Sequence, residues 1–189
     1  RDSLSEYWLS DKPGTVQDVF NTAEYSKSAI HKALIKLVQE KVIVRIIKGI
    51  YFKPKISSIV KGAIVSPMQW DIVMFICNKN NEIIQIHGGI AANRLRLSTQ
   101  VPLNRVFLTS GYSRILYLCG SPVKFIHTND KRKLQHVGTN VGLAISAMYY
   151  LGKNVLDNNI VKKIKEYLTE DEYKQLKKSD LPVWMKKLL

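Results

Sequence analysis

The chain has 189 residues, 46% of them hydrophobic, and carries 29 Lys and Arg against 15 Asp and Glu for a formal net charge of +14. That apolar content supports a packed core and excludes a mainly disordered chain, while the cationic surplus favours a polyanionic partner, nucleic acid first among them. No run of about 18 apolar residues occurs to cross a membrane, no signal-peptide architecture opens the chain, and Cys77 and Cys119 lack paired spacing, so buried reduced thiols in a cytoplasmic protein are expected.

Residues 3–9 are expected to form a short helix, with Ser3 as N-cap, Glu6 three residues on, and Leu4, Tyr7 and Trp8 inward. Lys12, Pro13 and Gly14 end it. Thr15 then caps a second helix with Val16, Val19 and Phe20 as core residues and Asp18 near its start. Residues 21–25 make a turn, and Ser26 or Ser28 caps a longer helix. There Ile30, Ala33, Leu34, Leu37 and Val38 follow the i, i+3, i+4, i+7, i+8 spacing of a core-facing stripe. At about 100° per residue, Ser28, Lys32, Lys36 and Gln39 fall opposite, a polar and basic face on which Ile35 is the anomaly. Residues 42–47 and 50–52 are β-branched runs joined at Lys48-Gly49, the pattern of a two-stranded ribbon. Helix, turn, helix and ribbon in this order make a winged helix-turn-helix over residues 1–55, a unit that places its second helix in the DNA major groove.

Residues 56–66 are a connector containing Ser57, Ser58 and Gly62. Ser66 caps and Pro67 begins a strongly apolar helix with Trp70, Ile72, Val73, Phe75, Ile76 and Cys77. Residues 82–86 are strand-like, and His87-Gly88-Gly89 turns the chain into a short helix over 90–97. Residues 98–102 are an extended connection, since the residue before Pro102 avoids the helical region. Strands follow over 106–109, 115–118 and 123–128, separated by Gly111 and by Gly120-Ser121-Pro122. From Val137 the periodicity is helical to the end, through Val141, Ala144, Met148, Ile160, Ile164, Leu168, Leu176 and Trp184. The expected fold class is α+β: an N-terminal winged helix-turn-helix followed by a mixed α/β domain over 67–189 with a helical C-terminal tail.

For DNA contact the sequence offers Ser26, Lys27, Ser28, His31, Lys32 and Lys36 on the long helix, with Lys32 best placed outward. Arg45, Lys48 and Tyr51 are offered on the ribbon, with Lys48 at its tip. Residues 1–55 hold ten Lys and Arg against six Asp and Glu, and the remainder nineteen against nine, so most of the surplus lies outside this unit. Arg94, Arg96, Arg105 and Arg114, with Asn93, form a second candidate patch, because guanidinium groups pair with phosphate in fixed geometry. Asn93, Ser98, Thr99 and Gln100 can equally brace a helix–loop junction. Lys131, Arg132 and Lys133 form a loop cluster, and lysines such as Lys162, Lys165 and Lys177 make a solubilising face on the tail helices. Catalysis is not expected. Ser121-Pro122-Val123-Lys124 fits S-x-x-K, a pattern common by chance. His31, His87, His127 and His136 lack metal-ligand spacing, and Gly88-Gly89 lacks a phosphate-loop context. No catalytic residue, metal or cofactor is assigned.

The run His87-Gly88-Gly89-Ile90-Ala91-Ala92-Asn93-Arg94-Leu95-Arg96-Leu97-Ser98-Thr99-Gln100-Val101-Pro102 resembles the G-x-x-A-A-N-x-L-G-L-S-T-Q-V-P core of AbiEi-like proteins. These are antitoxins and transcriptional regulators of type IV toxin–antitoxin modules. Val106-Phe107-Leu108-Thr109-Ser110-Gly111, Met148-Tyr149-Tyr150-Leu151-Gly152 and Leu181-Pro182-Val183-Trp184-Met185 resemble further stretches of that family, so the likeness spans nearly the whole chain. Arg96 departs from the pattern, which has Gly there. The resemblance implies a transcriptional autorepressor that binds double-stranded DNA at inverted repeats in its own promoter, with a C-terminal antitoxin domain countering a nucleotidyltransferase toxin without a stable complex. The patch of Asn93, Arg94, Arg96, Arg105 and Arg114 would then serve the antitoxin function. Two alternatives stay open: an antitoxin that binds its toxin directly, and a non-catalytic RNA- or nucleotide-binding module. Inverted repeats suit a two-fold dimer or two monomers on one palindrome.

Overall fold

A computed structural model describes residues 14–15, 26–56, 64–65 and 68–189. The helix expected over 3–9, the body of the helix expected after Thr15, the turn over 21–25 and the Ser66-Pro67 helix start lie outside the described residues, and Thr15 itself, the expected cap, lies in a two-residue strand. Among the described residues the chain is α+β. It divides into two compact units, Arg1–Ile76 with Tyr117–Gly120 and Cys77–Leu116 with Ser121–Leu189.

In the first unit, α1 (Lys27–Gln39) starts where Ser26 accepts the Ala29 N–H, which settles the cap in favour of Ser26 over Ser28. Its stripe buries Ile30 and Leu34 against Ile43 and Tyr51, with Leu37 and Val38 partly covered. Lys41 ends the helix in the left-handed region at φ 58. Its N–H reaches the Val38 carbonyl (3.1 Å) and the Val42 N–H reaches that of Leu37 (2.9 Å), the paired bonds of a Schellman motif. Strands β2 (Val44–Ile47) and β3 (Ile50–Phe52) pair antiparallel, with Arg45 opposite Tyr51, Ile47 opposite Ile50 and a register slip between them. Gly49, at φ 81, makes the turn. The expected two-stranded ribbon gains a third member, because β1 (Gly14–Thr15) pairs with β3 and gives the order β1-β3-β2. A two-residue strand carries no periodicity to detect. The expected connector also holds paired strands, β4 (Lys55–Ile56) against β5 (Ile64–Val65).

Helix α2 (Gln69–Lys79) buries Ile72, Val73, Ile76 and Cys77. It too closes in a Schellman motif, with Asn81 at φ 53 and the Glu82 N–H on the Cys77 carbonyl at 2.8 Å.

The second unit is built on a mixed sheet. Strand β6 (Ile84–Ile86) runs antiparallel to β7 (Arg105–Thr109), β7 runs parallel to β9 (Ser121–His127), and β8 (Arg114–Leu118) lies at the edge beside β9. Ser121 and Pro122 belong to β9 instead of separating strands. The β8–β9 turn is Cys119-Gly120, both at positive φ (51 and 78), as a tight two-residue hairpin requires. Cys119 is therefore exposed, not buried as its apolar neighbours suggested, while Cys77 is buried.

The short helix is α3 (Gly88–Arg94), two residues earlier than expected, because His87 caps it by accepting the Gly89 N–H. Residues 131–133 lie in a single 3-10 turn, Lys131–Leu134. Helix α4 (Asn140–Leu151) starts three residues after Val137 and buries every residue from Val141 to Met148, as a helix apolar on all sides must. Gly88 lets α3 approach α4, since a Cβ there would collide with the Ser146 carbonyl oxygen and Tyr150 Cβ. The tail is α5 (Asn158–Tyr167), α6 (Glu170–Lys178), which opens with a Thr169/Glu172 capping box, and α7 (Val183–Lys186). No helix among the described residues is long and apolar enough to cross a membrane.

Candidate nucleic-acid interface

The outward face of α1 follows from its inward one. With Ile30 and Leu34 buried, Lys27, Ser28, His31, Lys32 and Lys36 are all exposed. Ser26 and Ser28 hold each other at the helix start, Oγ to Oγ 3.1 Å, while Ser26 caps Ala29. Lys36 Nζ lies 4.0 Å from Glu40 Oε1 one turn on, with both side chains about half exposed, a pair worth only a few tenths of a kcal/mol. Ile35, 60% exposed, stands on the basic face as its spacing predicted. On the ribbon, Lys48 is exposed at the tip, and Arg45 is exposed with its Nε–H donating to the Ile47 carbonyl at 3.4 Å. Tyr51 is the correction. It is only 8% exposed and packs with Ile30, Leu34 and Ile43. All three β3 residues are buried, so strand alternation could not separate a core position from a surface one.

The arginine patch is not one surface. Arg114 is buried and ion-paired, its Nη2 2.8 Å from Glu82 Oε2, with side chains 8% and 7% exposed. Its guanidinium also lies over the Phe125 ring at 4.4 Å and the Tyr112 ring at 4.8 Å. Thr109 Oγ1 donates to the same Glu82 oxygen at 3.0 Å. A Cβ on Gly111 would strike that carboxylate. Arg114 is therefore a structural residue. Burial, and next the Glu82 carboxylate, push the nearby Cys77 thiol up to about 11. Asn93 donates from Nδ2 to the Ser98 carbonyl at 3.2 Å, so it braces the helix–loop junction. Arg94 and Arg96 are exposed at the end of α3, and Arg105 is exposed at the start of β7. Arg96 has φ 56. Its N–H reaches the Asn93 carbonyl at 2.9 Å and the Leu97 N–H that of Ala92 at 2.8 Å, a third Schellman motif.

A different basic surface, missed in the sequence, forms on the second unit. The His87 N–H donates to the Val106 carbonyl at 3.1 Å, and Val106 is in register with Lys124. His87 and Lys124 therefore stand on one cross-strand row. The same face of the sheet carries Gln85, whose Nε2 donates to the Gln135 carbonyl just after the 3-10 turn. From that turn Lys133 sets its Nζ 5.2 Å from the centre of the Tyr149 ring. Burial first, then Lys124 and Lys133, hold the His87 imidazole below its ordinary pKa of 6.5. These residues come from separate elements, and nothing in their local spacing joins them.

Two further histidines, His127 and His136, serve as braces. His127 Nε2 lies 2.8 Å from Asn129 Oδ1, and His136 Nε2 lies 3.0 Å from Ser179 Oγ. Among the described residues no group of three or more His, Cys, Asp or Glu could hold a metal ion.

Residues 6–176 match the profile of one protein family, described as a family of unknown function, DUF6088. Comparison with curated proteins and with solved structures gives no match.

Proposed function

The chain belongs to the DUF6088 family, and we propose that it is a DNA-binding transcriptional autorepressor and antitoxin of a type IV toxin–antitoxin module, active in the cytoplasm. Residues 1–55 are its winged helix-turn-helix. Helix α1 is the recognition helix, the β2–β3 ribbon is the wing, and residues 67–189 are the domain that counters a nucleotidyltransferase toxin without a stable complex.

One observation carries the DNA reading: a helix with an exposed basic face is followed directly by a sheet whose turn exposes Lys48. Lys27, Lys32 and Lys36 suit phosphates and guanine acceptors, and exposed Ile35 suits a thymine methyl. The antitoxin part rests on the sequence resemblance, strongest over residues 87–102 and continued at 106–111, 148–152 and 181–185.

The test is an electrophoretic shift of the full chain on the DNA upstream of its own gene. Specific retardation of an inverted repeat is expected. Lys32→Ala with Lys48→Ala should lower that affinity by roughly 10- to 100-fold, the range for lost phosphate and base contacts. Unchanged affinity would reject this reading face. For the antitoxin part, co-expression with the toxin should restore growth while the two proteins fail to co-purify.

A further inference from the structure

The surface formed by His87, Lys124 and Lys133 has the chemistry of a site with no part in the proposed duplex contact. Neither lysine pairs with a carboxylate among the described residues. The acid that feels Lys133, Asp130, is already held by Arg132 through Nε at 2.8 Å and Nη2 at 3.2 Å. Lys133 is steadied over the Tyr149 ring. The Tyr149 hydroxyl is sealed from solvent and has no hydrogen-bond partner among the described residues. His87 Nδ1 accepts the Gly89 N–H at 3.3 Å, which leaves the ring proton on Nε2 as a donor. A neutral donor beside two uncompensated ammonium groups favours an anion.

An aromatic surface adjoins it. The Tyr150 ring meets His87 edge-on, centroids 5.7 Å apart at 73°, and is 47% exposed. It rests against Gly89, where an added Cβ would come within 3.5 Å of two ring carbons. An exposed aromatic set against the imidazole of a cationic face is the combination that holds an unpaired nucleotide, the base stacking while the phosphate is neutralised. We infer that Lys124, Lys133 and the His87 Nε2–H bind the phosphate of a nucleotide whose base stacks on Tyr150. The nucleotide is either free or part of a single strand.

The experiment follows the His87 imidazole resonances of the full chain by NMR, assigned with His87→Gln. The titrants are inorganic phosphate, adenosine monophosphate and a single-stranded hexauridine RNA. Saturable shifts are expected with phosphate and with the nucleotide, the nucleotide binding about fivefold more tightly. Tyr150→Ala should erase that advantage, and Tyr150→Phe, which keeps the ring, should retain it. Lys124→Gln with Lys133→Gln should abolish both shifts and raise the pKa of His87 in the free protein. Tighter binding of the hexamer than of the nucleotide assigns the site to a strand, and equal affinity assigns it to the free nucleotide. No saturable shift, or shifts that survive the double lysine change, would overturn the site. A nucleotide no tighter than phosphate would overturn the stacking role of Tyr150. Lys32→Ala with Lys48→Ala should leave all of these titrations unchanged, which separates this site from duplex binding.

Discussion

At the residue scale, the charges that look most functional in the sequence divide by burial. Arg114 is an internal strut, and removing one partner of a buried pair strands the other charge. Arg114→Ala is expected to cost about 3 kcal/mol or more in urea denaturation. Replacing Glu82 by Gln and Arg114 by Met together should cost less than the two single changes summed. Arg96 gives the opposite case. A non-glycine residue at φ 56 carries a penalty of roughly 1 kcal/mol that glycine avoids. Arg96→Gly should raise thermal stability slightly, in line with the Gly in the sequence pattern it departs from. The cysteines differ likewise. At pH 8 a soluble alkylating reagent should modify Cys119 and spare Cys77 until the protein unfolds. With its folded pKa raised from 9.0 to about 11, Cys77 contributes stability that is complete below pH 9 and lost as the pH rises toward 11. Cys77→Ala should flatten that part of the stability profile.

At the element scale, helix ends are where this chain spends its irregular conformations. Three helices close through left-handed residues, Lys41, Asn81 and Arg96, none of them glycine. Each adopts the backbone that glycine usually supplies at a helix end, so no glycine marks these ends in the sequence. Close packing uses glycine instead. Gly88 allows α3 to touch the Ser146 backbone, and because a carbonyl oxygen cannot rotate away, Gly88→Ala should cost about 3 kcal/mol. Thermal denaturation checks this, and an unchanged melting temperature would show that the α3–α4 contact is looser than described. The stripe of α1 was legible from spacing alone, including exposed Ile35. The Tyr51 position was not, because β3 is covered on both sides.

At the scale of the whole molecule, charge predicts behaviour before any contact is known. Lys27, Lys32, Lys36, Arg45 and Lys48 are exposed on α1 and the ribbon. If each neutralises one phosphate, log affinity for the duplex should fall with log salt at a slope near about −4.5. The double change at Lys32 and Lys48 should make that slope shallower by roughly 1.8. A slope unchanged by the substitutions would place the cations that bind DNA elsewhere in the chain.

The sequence by itself determined what nearest neighbours along the chain decide: the α+β class, the α1 stripe with its basic back, the Lys48-Gly49 turn and the apolar central helix. Periodicity and turn chemistry act over a few residues, so a single chain displays them. Only the tertiary structure decided what depends on closure between distant segments. Two residues at Gly14–Thr15 complete a sheet with β3. Glu82 takes Arg114 out of the surface. One cross-strand row sets His87 and Lys124 on either side of Val106, with Lys133 arriving from the turn beyond. Those contacts have no local signature, because the groups that make them become neighbours only when the chain folds.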